Sequence, residues 1–216
     1  MTTARRGDWI QTAVTKKQFW PLDPRPEDVH IEDIAHALTN ICRFGGHTKD
    51  YYSVGQHSVL CSEHAPPDLA LAALLHDAAE AYCGDIPRPW KKFLWVAPTD
   101  RIESLTRFKQ MESSLLDVIF LALDVGPLPG APRWATVAEI DLRMLATEAR
   151  DLMSPLAGDE WANTFQKAPC EARYAYNPYP DVIQPWTPAE AKAKFLARWR
   201  ALTAARSASE AEGTGR

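Results

Sequence analysis

With 216 residues, 46% of them hydrophobic and 24% charged, the sequence has the length and balance of a single globular domain and excludes a disordered or fibrous chain. Its formal net charge of -4 offers no basic field to condense on a phosphate backbone, which argues against extended DNA or RNA and leaves small charged ligands open. No stretch approaches the roughly 20 apolar residues a membrane crossing needs, and residues 1–7 lack the apolar centre of a signal peptide, so a cytoplasmic location is expected.

Proline and glycine punctuation divides the chain into helices, and no strongly alternating segment calls for a sheet; the expected class is all-α. Ile31, Ile34, Ala35, Leu38, Ile41 and Cys42 recur at helical spacing and predict an amphipathic helix over 31–42. Arg43-Phe44-Gly45-Gly46-His47 breaks it. A second helix begins near Ser53, where Ser53 and Gln56 have capping-box spacing, and runs to about His64. A third is expected over 69–82, opened by Pro66-Pro67-Asp68 and closed by Gly84 at C′. Its first half, 69–75, is apolar on every face and belongs at the centre of the fold. A proline-rich connection over 85–98, helices over 100–123 and 135–153, a proline-rich loop to 188 and a last helix over 189–205 complete the chain. One domain is expected over 1–206, with 207–216 as a disordered tail. The tryptophans, Trp90, Trp134, Trp161, Trp186 and Trp199 among them, are expected in core and interhelix packing. Cys42, Cys61, Cys83 and Cys170 form no C-x-x-C pair and are read as small buried hydrophobes.

The strongest chemical signal is His76-Asp77-Ala78-Ala79-Glu80, three ionisable side chains directly after the apolar run. Unpaired in a core these groups would cost several kcal/mol, so a metal or mutual pairing must satisfy them. Adjacent His76 and Asp77 point about 100° apart on a helix and grip one ion only at the helix shoulder. Further donors must come from other helices. His57 sits mid-helix among Val54, Leu60 and Cys61, and Asp141 interrupts the stripe Val137, Ile140, Met144, Leu145. Two imidazoles and two carboxylates make a mixed, fairly hard set suited to one divalent ion such as Mn, Co, Fe, Ni or Mg, less typically Zn. Such an ion lowers the pKa of water or polarises a phosphoryl oxygen, so phosphate-ester hydrolysis is its natural use.

In the order His57, His76-Asp77, Asp141, these residues resemble the H…HD…D signature of the HD-domain phosphohydrolase superfamily. His76 to Glu80, Gly84-Asp85-Ile86-Pro87 and Pro89-Trp90-Lys91 resemble the corresponding segment of bacterial HD-type 5′-deoxynucleotidases and phage dATP triphosphohydrolases. The resemblance spans about 31–151 and implies an HD-domain helical bundle that hydrolyses a phosphate bond of a nucleotide, as a 5′-nucleotidase or a triphosphohydrolase. It implies that Glu80 orients or activates the attacking water and that Asp85 serves the leaving oxygen. Arg43-Phe44 stands about fourteen residues before His57, where these relatives carry an Arg and an aromatic. Arg43 is thus expected to fork onto a phosphate and Lys91 to add a point charge, with Phe44 and His47 also meeting substrate. Phe44 and the glycines after it depart from the Trp usual in the deoxynucleotidases. A homo-oligomer is implied by the same relatives. The alternatives are a cyclic-nucleotide or signalling phosphodiesterase of the superfamily, which would need more histidines for a second metal, and a non-catalytic nucleotide sensor.

Overall fold

The computed structural model describes residues 6–97, 105–126, 131–153 and 177–213, and it is mostly helical. The chain enters through a small antiparallel hairpin, β1 (Ile10–Gln11) and β2 (Gln18–Phe19). The buried carboxylate of Asp33 holds its tip by accepting from the Val14 and Thr15 amides at 3.0 and 3.1 Å. Helix α1 (Ile31–Asn40) carries Asp33 in its first turn and buries Ile34, Ala35 and Leu38 completely. It ends two residues short of the expected 42, because the chain turns extended at Ile41 to exchange backbone bonds with Tyr52 and Val54.

Helix α2 (Val54–His64) begins as its sequence requires, with Ser53 Oγ accepting from the Gln56 amide at 3.0 Å. The return half of the box does not form, since the Gln56 side chain bonds the backbone of Gln184 and Trp186 instead. α2 is the central element, packed by α1, α3 (Ala70–Leu75), α7 (Trp134–Leu152) and α8 (Pro188–Gly213). Its crossing with α1 is very close: a Cβ on Gly55 would stand 2.3 Å from Thr39 Cγ2 and 3.1 Å from the Thr39 amide nitrogen. Backbone on both sides leaves nothing to give way. Gly55→Ala is expected to lower stability by about 1–3 kcal/mol, read from a denaturant midpoint; an unchanged midpoint would contradict this close approach.

The expected helix over 69–82 is interrupted. α3 stops at Leu75, α4 (Glu80–Cys83) resumes, and from the gap into α4 the amides of Ala78, Glu80, Ala81 and Tyr82 bond three residues back rather than four. This local tightening of the helix falls on His76 and Asp77. Gly84 follows α4 at φ +78°, the left-handed position that suits a glycine there.

The proline-rich connection holds a one-turn helix, α5 (Arg88–Lys91), and a second two-residue ladder, β3 (Trp95–Val96) with β4 (Thr106–Arg107). The helix expected over 100–123 therefore becomes α6 (Phe108–Ala122). Strands of two residues are too short to leave an alternating pattern, which is why neither ladder was expected. α8 continues to Gly213, eight residues past the expected 205, through Ser, Ala and Glu that suit a helix as well as a tail. Among the described residues no helix is long and apolar enough to cross a membrane. Trp134, Trp186 and Trp199 pack against the core as expected, but Trp90 is 68% exposed and is not a packing residue. Trp161 and Cys170 lie outside the described residues.

Candidate metal centre

Three helical segments deliver the four residues singled out as ligands. α2 brings His57, fully buried; the tightened turn after α3 brings His76 and Asp77; α7 brings Asp141, whose side chain keeps 37% of its exposure. His57 Nε2 stands 3.2 Å from His76 Nε2, 3.5 Å from Asp77 Oδ2 and 3.2 Å from Asp141 Oδ1. His76 Nε2 stands 3.3 Å from Asp77 Oδ2 and 3.8 Å from Asp141 Oδ1. Residues far apart in the chain thus aim donor atoms at one point.

Both imidazoles are engaged on the side facing away from that point. His57 Nδ1 lies 2.6 Å from Glu148 Oε1 and His76 Nδ1 lies 2.8 Å from the Ala73 carbonyl oxygen. Each acceptor favours a proton on Nδ1, leaving the Nε2 lone pair for a cation. The donor set therefore fits a metal ion by its own chemistry. Cys61, one turn after His57, places Sγ 3.5 Å from His57 Nε2, and His57, Cys61 and His76 form a group that could hold a metal ion. The two donor sets share their imidazoles and differ in charge. Burial pushes the Cys61 thiol up to about 11, so it is protonated at neutral pH. Asp141 is also penalised by burial, but hydrogen bonds from His57 and His76 outweigh this and hold its carboxyl well below the usual range.

The imidazoles show the converse. Burial and Arg43 oppose charge on His57, yet Glu148 and Asp141 raise it well above its usual value. Burial opposes charge on His76 too, and Asp77 and Asp141 raise it. In the metal-free chain protons supply the positive charge that this acidic pocket demands. A cation must displace them, so its affinity is expected to increase with pH while the imidazoles titrate, with release of up to one proton per imidazole. Calorimetry in buffers of different ionisation enthalpy reads that release directly, and binding without proton release would contradict it.

Arg43 is not aimed at open space. It is buried, with Nη1 3.4 Å from Asp77 Oδ2 and Nη2 3.1 Å from Glu148 Oε2. The guanidinium expected to fork onto a phosphate is instead engaged with two carboxylates of the centre. Phe44 follows at φ +56° and Gly45 at φ +60°, and a left-handed aromatic residue carries backbone strain that surrounding structure must sustain. Its ring centroid lies 5.4 Å from the Arg43 guanidinium carbon. Gly45 faces Pro87 of the Gly84–Pro87 turn, so the two loops expected to meet substrate are neighbours, with His47 exposed beside them.

Glu80 is buried, and its Oε2 has no hydrogen-bond partner. Its Oε1 lies 3.3 Å from Lys91 Nζ, which also pairs with Glu112 Oε1 on α6 at 2.6 Å. Burial first, then Asp77 and Asp85, raise Glu80 well above the usual carboxylate range, against the opposing pull of Lys91 and Arg43. Lys91 thus bridges two acids rather than standing as a surface pair with Lys92. Glu112, Glu148, Tyr52 and Cys61 were not foreseen as parts of the site. Cys61 was legible at four residues from His57, and Glu148 at seven from Asp141, two turns along the same face of α7.

No protein-family model matches the sequence. The chain is similar to the uncharacterized Escherichia coli protein YfdR, at 43% identity over 136 residues that cover 63% of this chain and 68% of YfdR. It is also similar to an uncharacterized protein of Rhodobacter capsulatus, at 49% identity over 79 residues, 32% of this chain and 40% of that protein.

Proposed function

We propose, for a chain that belongs to the same family as Escherichia coli YfdR, metal-dependent hydrolysis of a phosphate bond in a nucleotide by a helical domain of the HD type. The observation that carries the proposal is the approach of His57 Nε2 to His76 Nε2, Asp77 Oδ2 and Asp141 Oδ1 at 3.2, 3.5 and 3.2 Å. His57, His76, Asp77 and Asp141 hold one divalent cation. Cys61 stays outside the set, since a hard divalent ion such as Mn or Mg prefers carboxylate oxygen to thiol sulfur. When bound, the cation polarises a phosphoryl oxygen and neutralises charge that develops in the transition state.

The rest of the chemistry falls to side chains around it. Glu80 accepts a proton from the attacking water at Oε2, the oxygen left without a partner in the structure. Its raised pKa makes it a stronger base than an ordinary carboxylate. Asp85, close enough to act on Glu80 electrostatically, serves the leaving oxygen on the opposite side of the in-line displacement. Lys91 adds positive charge beside Glu80, Arg43 holds Asp77 in place, and Phe44 and His47 stand at the entrance with the Gly45-Gly46 turn.

The experiment is a screen of nucleoside mono- and triphosphates with Mn, Co and Mg, reading inorganic phosphate against triphosphate. Release of either product only in the presence of a divalent ion supports the proposal and sorts nucleotidase from triphosphohydrolase. Inactivity with every nucleotide and metal sinks it.

A further inference from the structure

Glu148 has no role in the chemistry set out above, yet it is the most completely engaged carboxylate of the centre. It is fully buried on α7, where a charge without partners would be costly. Three donors from the stretch that leads into α2 converge on it. His57 Nδ1 and Tyr52 Oη reach Oε1 at 2.6 and 2.9 Å, and Arg43 Nη2 reaches Oε2 at 3.1 Å. The helix face that presents Asp141 to the ion presents Glu148 two turns later to the back of the facing imidazole.

We propose that Glu148 is the positioning residue of the metal centre: it keeps the His57 proton on Nδ1, aims the Nε2 lone pair at the cation, and holds Arg43 in register with Asp77. The inference rests on the metal-centre reading above. The two histidines are thereby unequal. His76 is backed by the neutral carbonyl of Ala73, whereas His57 is backed by an anion that increases its donor strength. Tyr52 and Arg43 engage both oxygens of the carboxylate, so it cannot rotate away without stranding one of them.

Glu148→Gln keeps the shape and removes both the charge and one acceptor oxygen. If the amide oxygen serves His57 and Tyr52, the amide NH2 confronts Arg43, donor against donor. If the amide is turned over, NH2 confronts His57 Nδ1 and favours the tautomer with its proton on Nε2, which cannot bind a metal. The expected result is zinc affinity weaker by about 10- to 100-fold, as for other outer-shell partners of metal-bound histidines, with partial recovery in Glu148→Asp, which retains the charge. A purely structural ion pair with Arg43 would shift unfolding but leave zinc affinity in the folded variant unchanged.

The measurement that needs no variant is the ring 15N spectrum of the zinc-bound wild-type chain, where the His57 proton must sit on Nδ1 and the metal on Nε2. Equal zinc affinity in wild type and Glu148→Gln overturns the inference while leaving the metal centre standing, whereas a His57 proton on Nε2 overturns both. A wild-type chain that binds no zinc, manganese or cobalt overturns both.

Discussion

Asp141→Asn is expected to lose the metal ion and, with it, hydrolysis. In the proposed centre Asp141 is the ligand that α7 contributes, 3.2 Å from His57 Nε2 and 3.8 Å from His76 Nε2, and Asn preserves its shape while removing the charge. Loss of several kcal/mol of transition-state stabilisation corresponds to a rate lower by about 10³-fold or more. Metal content per chain should fall to background when dialysed samples are assayed by mass spectrometry. The metal-free variant should also melt below the metal-free wild type, because the imidazoles that hold Asp141 ionised lose their counter-charge. Full metal content and activity in Asp141→Asn would remove α7 from the centre.

Glu80→Gln is expected to separate activity from stability. The rate should fall by about 10²- to 10⁴-fold, the range a positioned general base contributes, with metal content unchanged because Glu80 is not a ligand. The melting temperature should increase. A carboxyl whose folded pKa is raised contributes stability below its unfolded value, the usual 4.5, and loses it as pH increases toward the folded value. Above that range Glu80 is thus a burden on the folded state, and Gln, which does not titrate and can still accept from Lys91, is not. A gain of about 1 kcal/mol, or about 2–4 °C for a chain of this size, is expected at pH 7 and should shrink toward pH 4.5. A variant that retains the wild-type rate would assign the base elsewhere. One that melts lower would show Glu80 to be structural.

Much of this organisation was legible in the residues themselves. The all-apolar run before His76 places the pair in the middle of the fold because no face of that segment tolerates water, and Leu74 and Leu75 are indeed fully buried. Ser53 announces the start of α2, and Asp141 stands out because a carboxylate in an apolar stripe needs a partner. What escaped the sequence depends on tertiary contacts. The break of the 69–82 helix at His76 and Asp77 reflects what their partners demand, and helix propensity favours continuing through Ala78 and Ala79. Arg43 was expected on a phosphate because its local sequence fixes its charge, but which carboxylates share the cavity is decided by α7 and the turn after α3. Glu148 was missed for a simpler reason: the stripe on α7 was followed only to Leu145, one residue row before the second acid on the same face. Trp90 was assigned to packing by residue type alone, and its place at the exposed one-turn helix α5 overrides that type.

The most direct measurement is anomalous diffraction from crystals grown with manganese. Metal bonds of about 2.0–2.3 Å to oxygen and nitrogen donors call for a single strong peak in contact with His57 Nε2, His76 Nε2, Asp77 and Asp141, clear of Cys61 Sγ. A centre left without a peak at saturating manganese, or a peak that leaves Asp77 and Asp141 beyond bonding distance, would contradict a four-residue metal site and the phosphate chemistry built on it.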